Sequence, residues 1–92
     1  MKPCLFTGRD TSNNFAGQPI CKEVLDFAKW YRDKLNVQQK QKGTKLLDTR
    51  SCLIMFLQMK DKGHGWAEIQ TKLADELLLK GLLTEEEYAP YR

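Results

Sequence analysis

Residues 20–35 read Ile-Cys-Lys-Glu-Val-Leu-Asp-Phe-Ala-Lys-Trp-Tyr-Arg-Asp-Lys-Leu. Ile20, Val24, Phe27, Tyr31 and Leu35 recur at i, i+4, i+7, i+11 and i+15, which is one apolar stripe at helical period. Ala28 widens the stripe, and Trp30 lies at or beyond its edge. Pro19 suits a first helical turn, so the spacing predicts a helix from about Pro19 or Ile20. Beyond Leu35 the polar run Val37–Gly43 is either an extension of this helix or a linker.

Working outward toward the C-terminus, Leu46, Leu47, Cys52, Leu53, Ile54, Met55, Phe56, Leu57 and Met59 predict a second helix over about 44–62, apolar nearly all round. A helix of that kind is the most buried of its bundle, or is buried against a partner. Gly63-His64-Gly65 breaks the chain. Trp66, Ile69, Leu73 and Leu77 then mark a third helix over about 66–80. Gly81 fits a left-handed C′ position with Leu82 folding back on Leu77. Thr84 and Glu87 form a capping box that opens a short last helix, limited by Pro90. Toward the N-terminus, Leu5 and Phe6 suggest a brief strand, 8–14 is turn-rich, and 15–18 suggests a second extended piece. The predicted fold is mostly α. It has three main helices, a short fourth, and a short N-terminal extended or hairpin segment (1–18) packed on a helical body (19–92). With 92 residues, one domain is expected.

The net charge of +3 hides a gradient. Residues 34–62 carry Lys34, Lys40, Lys42, Lys45, Arg50, Lys60 and Lys62 against Asp48 and Asp61, whereas 63–92 are net acidic. A basic block can collect phosphates, so Lys34, Lys40, Lys42, Lys45 and Arg50 are candidate nucleic-acid contacts. The segment 59–69 also reads as helix end, glycine turn and new helix. However, Glu68, Asp75 and Glu76 on that new helix oppose major-groove reading. The same gradient suits steering toward a protein partner. Trp30 and Tyr91 are the candidate partner-binding aromatics, since Tyr31 and Trp66 lie on helical stripes. The apolar second helix leaves a third alternative, self-assembly as a homodimer or structural protein.

The longest apolar run, Cys52 to Leu57, is too short to span a bilayer, and no secretory signal precedes the fold, so neither membrane insertion nor secretion is expected. An odd number of cysteines then predicts free thiols in a reducing, cytoplasmic setting.

Two segments resemble known families. Leu-Leu-Leu-Lys-Gly-Leu-Leu-Thr-Glu-Glu-Glu-Tyr (77–88) resembles the short C-terminal helical module called SHOCT, which implies a helical hairpin and an oligomerisation role. The family pattern continues for another helical turn or two, where this sequence has Pro90. Cys4-Leu5-Phe6-Thr7-Gly8-Arg9 is similar to a Cys-x-x-Cys-Gly-Arg zinc knuckle, and Cys21-Lys22-Glu23-Val24 to the Cys-x-x-Cys that opens the helix of a treble-clef or zinc-ribbon finger. Thr7 and Val24 stand where thiolates belong. The resemblance therefore implies a degenerate finger that keeps its backbone path without metal. The alternative is a rebuilt zinc site of Cys4, Cys21, Cys52 and His64.

A nucleophile needs a base within hydrogen-bond reach, and nothing in the spacing pairs His64 with a cysteine. Glu85–Glu87 are explained by capping. No catalytic residue and no cofactor are expected. The chain is read as a non-enzymatic regulator, an inhibitor or adaptor acting by protein contact on a host or nucleoprotein complex. Its size and lack of catalytic residues resemble small phage-encoded or mobile-element regulators.

Overall fold

The computed structural model describes all 92 residues, Met1–Arg92. The mostly α prediction holds. Four short strands precede three main helices and a short fourth, and the strands pair as two antiparallel ladders. Strand β1 (Lys2–Pro3) pairs with β2 (Asp10–Thr11), and β3 (Asn14–Phe15) with β4 (Gln18–Pro19). Leu5 and Phe6 are not a strand. They form the turn between β1 and β2, closed by the Cys4 N–H on the Arg9 carbonyl at 2.7 Å and the Gly8 N–H on the Cys4 carbonyl at 2.9 Å. Pro19 does not start the helix. Its carbonyl accepts from the Leu5 N–H at 2.9 Å, and the next N–H, of Ile20, donates to the Asn13 carbonyl at 3.0 Å. Those bonds hold the chain extended up to Cys21, the N-cap.

The β3–β4 turn has positive φ at both central residues, Ala16 (53°) and Gly17 (78°). Positive φ at both positions is the pattern of a type I′ hairpin turn, which asparagine-glycine satisfies best. Alanine in the left-handed region is strained by about 1 kcal/mol. Ala16→Asn is therefore expected to raise unfolding stability by about 0.5–1 kcal/mol in a urea titration; a loss would mean that the turn is of another type.

Helix α1 runs from Lys22 to Lys42, so the polar 37–42 segment is helix and not linker. It stops where Gly43 takes φ 69° and the Thr44 N–H closes on the Gln39 carbonyl at 3.1 Å. Helix α2 (Thr49–Asp61) is shorter than predicted. Asp48 caps it by accepting from the Ser51 N–H at 2.8 Å, which leaves Leu46 and Leu47 in the preceding loop. It is also not the most buried helix. Only Cys52, Leu53 and Phe56 are buried on it, against Val24, Phe27, Ala28, Tyr31 and Leu35 on α1. Ile54 is exposed, while Met55, Leu57 and Met59 are half-buried, so the apolar surplus left for a partner is smaller than composition suggests.

Helix α3 (Trp66–Leu79) ends as predicted. Gly81 has φ 73°, its N–H reaches the Leu78 carbonyl, and the Leu82 N–H reaches Leu77, a Schellman closure. The Thr84–Glu87 capping box is formed and opens α4 (Glu85–Tyr88), followed by a 3₁₀ turn at Ala89–Tyr91.

The core joins every segment through aromatic rings. Phe27, Phe56 and Trp66 form a triangle with centroids 5.3–5.9 Å apart. Phe6 of the N-terminal turn lies 5.4 Å from Trp66, and Tyr91 of the C-terminal turn 5.9 Å from Phe27. Beside the triangle, the buried Tyr31 hydroxyl donates to Glu76 at 2.7 Å and ties α1 to α3. Burial, then Glu76, raises the Tyr31 hydroxyl above its ordinary value. Burial alone would raise the Glu76 carboxyl too, but the Tyr31 and Lys80 hydrogen bonds outweigh it and hold Glu76 below its ordinary value.

The two shifts set opposite edges of one pH window. The Glu76 contribution is present above its unfolded value of 4.5 and is lost as pH falls through the lower folded value. The Tyr31 contribution is present below its unfolded value of 10.0 and is lost as pH rises above it. The stability difference between wild type and Tyr31→Phe is therefore expected to be greatest between those values, at about 1–2 kcal/mol, and to shrink at both ends. A difference independent of pH would show that the hydrogen bond contributes nothing.

Candidate functional site

The basic block meets the acidic tail inside the molecule. Lys34, half-buried on α1, pairs with Glu87 at 2.6 Å, and Lys34, then the Thr84 N–H, holds the Glu87 carboxyl below its ordinary value. Lys34 of the predicted phosphate-binding set thus already has an anionic partner within the chain. Arg50 also has an internal neighbour: its guanidinium lies over the Phe15 ring, 5.9 Å from the centroid. Lys40, Lys42 and Lys45 remain. All three are exposed, and none forms an ion pair. Lys40 and Lys42 occupy the last turn of α1, where positive charge also complements the helix dipole.

One of these lysines, Lys40, borders an apolar surface that composition did not reveal. The Asn36 side chain clasps the loop after α1: its amide N–H donates to the Leu47 carbonyl at 3.0 Å, and its Oδ1 accepts from the Leu47 N–H at 2.8 Å. That clasp sets Leu47 against the apolar side chains of Tyr31, Leu35 and Met55. It also leaves a cleft of about 260 Å³ bordered by Asp33, Asn36, Val37, Lys40 and Leu46; the Asp33 carboxylate is paired with Arg32 at 2.9 Å. Val37 is 51% exposed and Leu46 47%, two large apolar side chains in one cleft with a lysine on its rim. The signal was present in the sequence: Val37 lies two residues past Leu35 in an otherwise polar run, and Leu46 follows Lys45. Neither could be assigned to the surface until the helix boundaries were known.

Trp30 and Tyr91, the predicted partner-binding aromatics, pack on each other with centroids 5.7 Å apart, and both lie against Phe27. Burial raises the Tyr91 hydroxyl above its ordinary value. Both are half-buried, at the edge of the core.

The N-terminal thiols lie together at the start of α1. Cys21 at the start of α1 donates its N–H to Cys4 Sγ at 3.3 Å, and Thr7 Oγ1 lies 3.2 Å from Cys21 Sγ. Cys4, Thr7 and Cys21 are thus together, and Val24 follows one turn along α1, fully buried. The rebuilt site is not assembled. No group of three or more His, Cys, Asp or Glu side chains is placed to hold a metal ion. Cys52 lies on α2 beside Tyr31 and Leu35, and His64 in the α2–α3 turn is engaged by Glu68. Two thiols, a hydroxyl and a valine do not supply the four ligands that tetrahedral zinc requires.

No helix is long and apolar enough to cross a membrane. Comparison with protein-family models, with curated proteins and with solved structures gives no match.

Proposed function

We propose that the chain is a small contact protein, a regulator or adaptor, that engages an acidic protein surface through the C-terminal end of α1 and the 44–48 loop. The observation that carries this reading is the pairing of exposed Val37 and Leu46 in one cleft that Lys40 borders and whose one acidic residue, Asp33, is already paired with Arg32; Lys42 in the last turn of α1 and Lys45 beside Leu46 in the loop form no ion pair. An apolar centre with a charged rim is the usual anatomy of a protein interface. Neither Val37 nor Leu46 can meet a phosphate by charge or hydrogen bond. The lysines then steer and orient, while desolvation of Val37 and Leu46 supplies affinity. Three free thiols are consistent with action in a reducing cytoplasm.

Capture from a nuclease-treated lysate, compared across variants, tests this. Val37→Asp/Leu46→Asp is expected to abolish capture. Lys40→Glu/Lys42→Glu/Lys45→Glu is expected to weaken it most at low salt, because screening shortens from about 10 Å at 0.1 M to about 3 Å at 1 M. The reading fails if the chain instead binds a DNA or RNA duplex with a steep salt dependence, and only the lysine changes remove that binding.

A further inference from the structure

We propose that Cys4 and Cys21 are a redox pair that closes to an intramolecular disulfide on exchange with a small-molecule disulfide. Both sulfurs are held in one hydrogen-bonded cluster, not in two separate core sites. The Cys21 N–H points at Cys4 Sγ at 3.3 Å, and the Thr7 hydroxyl lies 3.2 Å from Cys21 Sγ. Their solvent exposures are 3% and 6%, yet Cys21 lies on the wall of an open cleft of about 240 Å³ that also takes in Arg9 and Thr11. A reagent in that cleft meets Cys21 first.

The thiols differ in chemistry. Burial would raise the Cys4 thiol. The Thr7 hydroxyl and the backbone N–H groups of Thr7, Cys21 and Phe6 outweigh burial and lower it from 9.0 to about 7. The thiolate, the nucleophilic form, is thus favoured at Cys4 relative to an ordinary cysteine. Burial pushes the Cys52 thiol the other way, above its ordinary value. Cys52 is buried as a packing residue on α2, and the thiol shifted toward its thiolate form, Cys4, lies next to Cys21.

In the reaction, Cys21 Sγ, on the cleft wall, attacks one sulfur of a disulfide RSSR; its S–H proton passes to solvent and RS⁻ is released. The Cys4 thiolate then attacks Cys21 Sγ and expels the second RS⁻. One protein S–S bond forms and one S–S bond of the reagent breaks. The two electrons pass to RSSR, which leaves as two RSH after taking up the two protons.

Trypsin separates the three cysteines onto peptides 1–9, 10–22 and 51–60. Folded protein treated with oxidised glutathione near neutral pH is expected to lose two hydrogens in mass and to yield peptides 1–9 and 10–22 joined, reversibly with a dithiol reductant. Cys52→Ser should behave identically. Cys4→Ser should stop at a glutathione adduct on Cys21. The wild-type peptide map stands even if that variant does not fold. The proposal is overturned by a cross-link that includes Cys52, by a cross-link between chains, by separate adducts on Cys4 and Cys21 with no bond between them, or by thiols that stay reduced in the folded protein but react in urea.

Discussion

Phe56→Ala is expected to cost about 3–5 kcal/mol of unfolding free energy, the range for truncating a fully buried aromatic. A chain of 92 residues carries roughly 5–14 kcal/mol in total, so this one change removes a large share of it. Phe56 has no exposed surface. Its ring meets Phe27 at 5.9 Å, Trp66 at 5.9 Å and Tyr31 at 6.4 Å, which are contacts to both other main helices. Deleting the ring therefore opens a cavity where α1, α2 and α3 meet. The surroundings cannot easily collapse into it, because Tyr31 is held on Glu76. Ile54, two residues away and 40% exposed, provides the control; Ile54→Ala should cost well under half as much. Urea titration with a shared m-value tests both. A Phe56→Ala loss below about 1 kcal/mol would show that the aromatic triangle is not the centre of the fold.

That triangle was not legible in the sequence, and the reason is physical. Periodicity reports which face of a helix is apolar, so Val24, Phe27, Ala28, Tyr31 and Leu35 were found correctly. It does not report which faces meet, so the junction of Phe27, Phe56 and Trp66 had to come from tertiary structure. Local chemistry was read well where one short motif decides it, as in the Gly81 closure and the Thr84–Glu87 box. It was misread where a competing pattern overlapped. Leu46 and Leu47 continued the apolar run of α2 and hid Asp48, whose carboxylate ends that run by capping Ser51. The same misreading hid the candidate site, since Leu46 is exposed only because it lies in a loop. The charge gradient is present, but its basic and acidic parts, read from the sequence as free to meet a partner, are joined at one point within the chain. Lys34 and Glu87 lie 53 residues apart, and nothing in the sequence joins them.

The N-terminal resemblance gives the second large prediction, because Cys4, Thr7 and Cys21 lie together, and Thr7 and Val24 stand where the resembled finger carries thiolates. Thr7→Cys/Val24→Cys is expected to create a zinc site of one equivalent per chain. Tetrahedral zinc with bonds of about 2.3 Å places its sulfurs about 3.8 Å apart. Thr7 Oγ1 already lies 3.2 Å from Cys21 Sγ, so a sulfur at position 7 needs only a small outward shift. Position 24 follows Cys21 by three residues on α1, and side chains at that spacing share a helix face. Without metal the variant should be less stable by about 1 kcal/mol, because Val24 is fully buried and loses a methyl group. With free zinc at about a hundred times its Kd, about 2.7 kcal/mol returns, and a chelator should remove it. Cobalt substitution should show four-thiolate charge-transfer absorption, unchanged by Cys52→Ser or His64→Ala. Absence of zinc would place Val24 away from the Cys4–Thr7–Cys21 cluster. Loss of binding in the Cys52 or His64 variant would mean that the metal recruits ligands across the core. Persistence in both would show that the turn at 4–9 and the first turn of α1 alone form a four-ligand frame, whose two native sulfurs are left free for the exchange chemistry assigned to them above.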